Sequence, residues 1–393
     1  MKFRQFALIS PIVLLAACQS ADPIAPEQAQ PAAPVMAASA NARIPGRYIV
    51  VFKSTTLDVS GVARALTASV GGQMGYLYDG VIKGFSVTLP PFAVAVLARS
   101  PFVELVEEDQ IMIASAIQRR ATWGIDRLDQ RNLPLNASYS YTATGSGVNA
   151  YIVDTGILPT HTEFQNRASI GYDAITPLAP KADCNGHGTH VAGTVGGKTY
   201  GVAKAVRLIG VRVLDCNGSG STSGVIAGVN WVAKHRVKPA VANMSLGGGA
   251  STALDNAVKA AIDSGVTFVV AAGNDNLPAC WFSPARVPAA ITVGATTNTD
   301  VKASYSNTGS CVDLFAPGSG ITSSWFTSTT SARTISGTSM ASPHVAGVAA
   351  LYLQTRPTST PSQVRNAIVT NATTVAKLKN SVGSPQKLLF SNY

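Results

Sequence analysis

The sequence predicts an α/β protein, with a parallel sheet covered by helices on both faces and a small α+β unit ahead of it. Three observations carry this reading. Past about residue 120, short apolar runs alternate with longer runs of helical spacing, the pattern of a doubly covered parallel sheet. Charged residues are only 13% of the chain while Gly, Ala, Ser and Thr abound, which suits tight turns and close packing. Residues 46–113 instead run in the order β-α-β-β-α-β, a ferredoxin-like split. A chain of 393 residues is long enough for one large domain and a smaller one.

Taken in order, residues 1–18 begin with Lys2 and Arg4 and continue as an apolar stretch from Phe6 to Ala17. This is a secretory signal, too short to cross a bilayer as a helix. Leu15-Ala16-Ala17-Cys18 also fits a bacterial lipobox, which predicts a lipid anchor on the precursor at Cys18; ordinary cleavage after an alanine is the alternative. Residues 19–45 are rich in Ala, Pro and Gln with few large apolar groups, so they read as a flexible tether. Within the small unit, Arg47–Phe52 is a strand, and Val59, Val62, Leu66 and Val70 mark a helix from Asp58 that Gly71-Gly72 stops. Lys83–Leu89 alternates like a strand and pairs with one around Tyr76–Tyr78. A second helix spans Pro91–Arg99, and a last strand spans Phe102–Glu107.

In the larger unit the predicted strands are Val148–Val153, Leu208–Leu214, Val241–Leu246, Val266–Ala271 and Ile291–Gly294. The predicted helices are His187–Gly196, Ser221–His235, Thr252–Ser264 and Ser339–Leu353. Three polar residues sit at element ends. Asp154 closes the buried run Ala150-Tyr151-Ile152-Val153, and His187 lies among glycines at a helix start. Ser339 lies in Gly337-Thr338-Ser339-Met340-Ala341, just before an apolar helix whose N-terminus favours developing negative charge. An acid, a histidine and a serine are what nucleophilic acyl transfer requires: the base takes the hydroxyl proton, and the acid fixes its tautomer. The chain order Asp, His, Ser is that of subtilisin and differs from that of α/β-hydrolases.

These motifs resemble the subtilisin-like serine proteases, and the wording is nearest the proteinase K branch and its aqualysin-type enzymes. The phrases that carry the resemblance include Trp123-Gly124-Ile125-Asp126-Arg127, Asp183-Cys184-Asn185-Gly186-His187-Gly188, Asn243-Met244-Ser245-Leu246-Gly247 and Ala271-Ala272-Gly273-Asn274. It runs from about Trp123 to Tyr393. It implies Asp154, His187 and Ser339 as the catalytic residues and Asn274 as an oxyanion donor. It also implies Gly218-Ser219-Gly220 and Ser245-Leu246-Gly247 as the two edges that grip an extended peptide. No acid lies in the second edge to select Lys or Arg, so broad endopeptidase activity after apolar or small residues is expected. His190 and His344 read as packed structural histidines.

The resemblance further implies structural calcium, a hard cation suited to oxygen ligands. One site would use Asp313 with the carbonyls of Pro288 and Ala290, and a second would use Asp126, Asp129 and Gln130; Asn136 stands where some relatives have another acid. Residues 46–115 resemble an inhibitor prodomain, a partner in cis for the peptidase unit 116–393. The junction is placed at Ser115–Ala116, with dibasic Arg119-Arg120 as the rival processing site. Cys184, Cys216, Cys280 and Cys311 form an even set in a secretory context and read as disulfides, with three pairings open from sequence. The resemblance implies Cys184–Cys216 and Cys280–Cys311.

The net charge of +10 lies wholly in residues 116–393, scattered without a basic run or interleaved aromatics, so nucleic acid is not an expected partner. The expected protein is a monomeric, secreted or periplasmic serine endopeptidase made as a self-processing precursor and acting on proteins or peptides. The rivals are an esterase, against which the motif order argues, and a non-catalytic binding protein, against which the intact triad argues.

Overall fold

The structure is a computed structural model that describes residues 31–38, 43–110, 116–176, 181–378 and 381–393. The expected signal segment with Cys18, and the stretch Ile111–Ser115 before the expected junction, lie outside the described residues. The chain divides into two compact units, Met1–Ile113 and Ala114–Tyr393.

The first unit contains β1 (Val35–Met36), β2 (Arg43–Phe52), α1 (Val59–Ser69), β3 (Gln73–Asp79), β4 (Lys83–Thr88), α2 (Val94–Ala98) and β5 (Val103–Gln110). Its sheet order is β1-β5-β2-β4-β3. The β2–β4, β2–β5 and β3–β4 pairs are antiparallel. Asp58 caps α1 by accepting from Gly61 N at 2.8 Å. Alternate strand residues such as Val50, Phe52, Phe85 and Val106 meet Ala63 and Leu97 from the helices in one core.

One strand departs from expectation. The stretch read as a tether contributes β1, which pairs in parallel with Val106–Glu107. Both its side chains stay exposed, so it adds backbone hydrogen bonds to a sheet edge and nothing to the core. Composition reports core-forming capacity and is silent on edge pairing of this kind.

The second unit opens with β6 (Ala116–Arg119), α3 (Trp123–Asp126), β7 (Ser138–Tyr141), β8 (Asn149–Asp154), β9 (Ala168–Asp173), α4 (His187–Gly196) and β10 (Arg207–Arg212). There follow α5 (Thr222–His235), β11 (Ala240–Met244), β12 (Gly248–Gly249), α6 (Thr252–Asp263), β13 (Thr267–Ala271), β14 (Phe282–Ser283) and β15 (Ile291–Thr296). Then come β16 (Leu314–Pro317), β17 (Ile321–Ser324), β18 (Ala332–Ile335), α7 (Thr338–Thr355), α8 (Pro361–Asn371), β19 (Thr373–Thr374) and β20 (Lys387–Leu388). The main sheet runs β19-β20-β16-β15-β13-β11-β8-β10-β9. Every pair from β20 to β9 is parallel, as the strand–helix alternation predicts.

Strand periodicity sorts the core into two layers. Ala150 and Ile152 of β8 pack with Val191 and Val195 of α4 and with Val345 and Val348 of α7. Tyr151 and Val153 face the other way, against Val225 and Val229 of α5 and Leu254 and Val258 of α6. A fully buried Val or Leu contributes about 1.5–3 kcal/mol, and β8 is buried on both faces, so it anchors both layers. This places the carboxyl ends of the adjacent strands β8, β11 and β13 beside the N-termini of α4 and α7.

Two disulfides staple surface loops, Cys184–Cys216 and Cys280–Cys311. Each closes a loop of 32 and 31 residues respectively, worth about 3–4 kcal/mol in the chain-entropy account. The mature protein, denatured without reductant, should therefore take up no alkyl group at these four cysteines by intact mass. Uptake of two or more would contradict the pairing.

Candidate active site

The site begins with a charge that cannot reach water. Asp154 ends β8 and is fully buried. Its Oδ1 accepts from Thr155 N at 2.8 Å and lies 2.7 Å from His187 Nδ1. Its Oδ2 has no hydrogen-bond partner among the described residues. Burial disfavours a charged imidazole at His187, but the Asp154 carboxylate and their hydrogen bond outweigh it, and Asp183 adds to them. The ring is held above its ordinary value of 6.5. His187 keeps a quarter of its side chain exposed, so its far nitrogen is not sealed in.

The loop that delivers His187 is tied to the end of β8. Asp183 is the tie, and sequence reading missed it. Its Oδ1 accepts from Thr155 Oγ1, Asn185 N and Gly186 N, each at 2.9 Å. Its Oδ2 accepts from Thr189 N at 3.0 Å and Thr189 Oγ1 at 2.6 Å. Thr155 Oγ1 in turn accepts from Gly188 N at 2.9 Å. Gly186 has φ +106°, and a Cβ on Gly188 would lie 2.1 Å from Gly156 O, so only glycine lets the helix start approach the strand end. The only sequence signal was an acid four residues before the histidine in the same phrase.

Ser339 is the second residue of α7. Pro343 lies one turn on and has no N–H, so the Ser339 carbonyl loses its helical donor. Ser245 Oγ, just past β11, supplies the replacement at 2.8 Å. Asn243 Nδ2 donates to that hydroxyl at 2.8 Å, and Ser342 Oγ donates to Asn243 Oδ1 at 2.7 Å. The side chain of Ser245, expected on a substrate edge, thus holds the start of α7. Ser339 Oγ donates to Ser245 O at 3.1 Å; among the described residues no hydrogen bond joins it to His187. Such bonds commonly form only once substrate is bound.

Asn274 lies in the exposed loop after β13. Its Oδ1 accepts from Thr338 N at 2.8 Å and Thr338 Oγ1 at 2.9 Å. That fixes the amide with Nδ2 turned away from Thr338 and free to donate. Two neighbouring clefts, of about 570 and 350 Å³, share Leu246–Gly249 and Ser283. His187, Gly218, Ser219 and Gly220 line the first; Asn274 and Ser339 line the second. The first cleft has no acid, Lys or Arg in its lining, and Leu214, Val225, Leu246 and Leu254 supply its apolar surface. The Cys184–Cys216 disulfide joins the His187 loop to the Gly218–Gly220 edge.

His190 and His344 are buried, and each holds a main-chain carbonyl through one ring nitrogen, while His190 Nδ1 has no partner among the described residues. His190 Nε2 lies 3.0 Å from Ile321 O and 3.1 Å from Arg333 O, and burial lowers its pKa to about 3. Burial likewise lowers that of His344, whose Nδ1 is 2.8 Å from Met340 O, to about 4.

The two expected calcium sites differ in how they fit a cation. At the second, Asp126 Oδ2 accepts from Ala137 N at 2.8 Å and Asp129 Oδ2 from Ser140 N at 2.6 Å. Asp129 Oδ1 and Gln130 Oε1 are buried with no partner among the described residues; burial raises the pKa of Asp126 and Asp129, as it does that of Asp313. Unpaired oxygens beside buried carboxylates fit a hard cation. Asp313 does not fit in the same way: Oδ2 accepts from Thr292 N at 2.8 Å and Oδ1 is paired with the Arg365 guanidinium. Among the described residues no three His, Cys, Asp or Glu side chains cluster as a metal site.

Residues 145–384 match the subtilase family and residues 47–114 match peptidase inhibitor I9. The chain is 54% identical to an extracellular serine proteinase of Thermus sp. (strain Rt41A), over 98% of this chain and 98% of that one. It is 51% identical to alkaline serine exoprotease A of Vibrio alginolyticus, over 91% of this chain and 70% of that one. Its fold is similar to the crystal structure of a cold-adapted subtilisin-like serine proteinase, with a TM-score of 0.68 at 57% identity, covering 70% of this chain and 99% of that one. With its main sheet, its inhibitor unit and relatives aligned over nearly its full length, the chain belongs to the subtilase family of serine proteinases.

Proposed function

We propose that this protein is a secreted, self-processing endopeptidase that uses Asp154, His187 and Ser339 as its catalytic residues. The observation that carries the reading is the 2.7 Å pairing of fully buried Asp154 with His187, which lines one cleft while Ser339 lines the cleft next to it. In the first step Ser339 Oγ attacks the carbonyl carbon of the scissile bond while His187 takes the hydroxyl proton. Asp154 keeps the Nδ1–H tautomer and steadies the imidazolium. Asn274 Nδ2 and the Ser339 N–H donate to the oxyanion. Collapse breaks the C–N bond, and His187 gives its proton to the leaving amine. Water then attacks the acyl-enzyme by the reverse proton path and releases the carboxylic product.

An extended peptide would bind between Gly218-Ser219-Gly220 and Ser245-Leu246-Gly247 as an added strand. The uncharged lining of the first cleft supports broad cleavage after apolar or small residues. The unit spanning 46–115 would act as inhibitor in cis and 116–393 as the peptidase, with cleavage near Ser115–Ala116; the inhibitor-family match ending at residue 114 supports this boundary. Secretion is supported by the signal-like start and by the extracellular Thermus relative. The precursor would carry a lipid anchor at Cys18, and the peptidase would act as a monomer. Calcium would be held by Asp126, Asp129 and Gln130, where its charge would neutralise two buried carboxylates.

Ser339→Ala replaces one small residue by another and should leave the fold intact. It should accumulate as a full precursor, whereas the unsubstituted chain should yield a fragment of about 116–393, read on a gel and by N-terminal sequencing. Purified Ser339→Ala protein that matures unaided would overturn the assignment. Asn274→Ala should lower kcat by about 10²–10³ with KM nearly unchanged, the range known for such a donor in subtilisin, a member of this family. A change confined to KM would make Asn274 a loop-shaping residue. His187 must be neutral to accept the proton, and its pKa is held above 6.5. Thus kcat/KM should fall as pH drops through a midpoint above 6.5, and a midpoint below it would contradict the pairing with Asp154.

A further inference from the structure

Asp313 is the only carboxylate among the three groups that the family resemblance marks as one calcium site, the others being the Pro288 and Ala290 carbonyls. A cation there would depend on it for charge. The structure commits both of its oxygens elsewhere. The backbone fixes Asp313 against the start of β15: its N–H donates to Thr292 O at 2.9 Å and its Oδ2 accepts from Thr292 N at 2.8 Å. That places it beside the turn carrying Pro288 and Ala290. Its Oδ1 is paired with Arg365, which reaches in from α8. Arg365 lines the same cleft as Pro288 and Ala289, so its guanidinium stands between α8 and the turn.

The helix that carries Arg365 is held in place by its cap and by its packing. A capping box joins Thr360 and Gln363, and Val364 and Ile368 are buried on either side of the arginine. Its Nε is buried without an acceptor among the described residues, so Asp313 supplies the polar contact at that end of the side chain. A guanidinium is charged at every working pH. A divalent ion on the same carboxylate would meet that fixed positive charge at close range and would have to displace it. The contrast with Asp129 and Gln130 is direct: there buried oxygens lack donors, and here they have them.

We propose that the Arg365 guanidinium takes the place of calcium at Asp313, so that this protein carries a built-in cation where the family resemblance marks a metal site. A tethered cation has no dependence on free calcium, whereas a bound ion stabilises only by mass action. This end of the molecule is therefore insensitive to chelators.

The test uses the full chain with Ser339→Ala to prevent self-digestion. It reads binding and unfolding, so it stands apart from the proposed catalytic roles. Calcium chloride is titrated calorimetrically into this protein and into the same protein carrying Asp313→Asn. The proposal expects equal numbers of calcium equivalents, and loss of one with Asp313→Asn would overturn it. In chelator, Arg365→Ala should unfold at a temperature lower by about 3 °C, because it leaves Asp313 without a cation. Millimolar calcium should recover that loss, and Arg365→Ala with Asp313→Asn should show no such recovery. An unchanged unfolding temperature for Arg365→Ala in chelator, or a fall that calcium does not recover, would each overturn the proposal.

Discussion

A carboxylate buried at the end of a strand is the constraint on which the rest of the site depends. Asp154 is out of reach of water, and an unpaired charge there would be strongly unfavourable. It needs a donor that can bear positive charge, and His187 supplies one. The surrounding features serve that approach. Asp183 gathers donors from three segments, Gly186 takes a positive φ, and Gly188 has no room for a side chain. The Cys184–Cys216 bond then carries the same loop to the cleft edge. A pair that satisfies a buried charge also sets the tautomer that the proposed chemistry requires.

The serine half of the site follows a similar logic. Pro343 removes a helical donor, and Ser245 fills the gap from the end of the neighbouring strand. Thr338 fixes Asn274 by two hydrogen bonds to one oxygen, which leaves the amide donor free. Both connections cross from α7 to the ends of β11 and β13, neighbours in the sheet. The parallel sheet matters because it brings every strand end to one rim, next to the N-termini of α4 and α7.

Arginine recurs as the answer to half-buried and buried acids in the larger unit. Arg127 binds both oxygens of Asp300, at 2.7 and 3.1 Å, and Arg212 pairs with Asp173 at 3.0 Å. Hydrogen bonds from Thr176, Lys181 and Ile175, opposed by burial, help hold Asp173 at a pKa of about 2. Arg365 with Asp313 belongs to this set. Removing one partner from a buried pair such as Arg127–Asp300 or Arg212–Asp173 costs about 3–5 kcal/mol, chiefly because the other charge is left unpaired, whereas the Arg365 pair, with its arginine 33% exposed, costs less. Asp126 and Asp129 stand apart, since main-chain donors satisfy only some of their oxygens.

By itself the sequence determined the family, the central strands β8, β10, β11, β13 and β15 with the helices α4 to α7, and the candidate chemical residues, while β9, β16 and α8 went unread. Those properties reside in contiguous stretches: an apolar run ending in Asp154, glycines around His187, and a small-residue phrase around Ser339. Periodicity of two and of 3.6 is local, so strands and helices could be read within a few residues of their bounds. The tertiary structure decided which distant groups meet. Asp183 as the anchor of the His187 loop, Ser245 as the donor that replaces the one lost at Pro343, and β1 as an edge strand all rest on pairings between separated segments. Arg365 shows the reason most plainly. It lies 52 residues from Asp313, on an element with no motif, and only the packing of α8 against α7 and β13 brings its charge to the carboxylate.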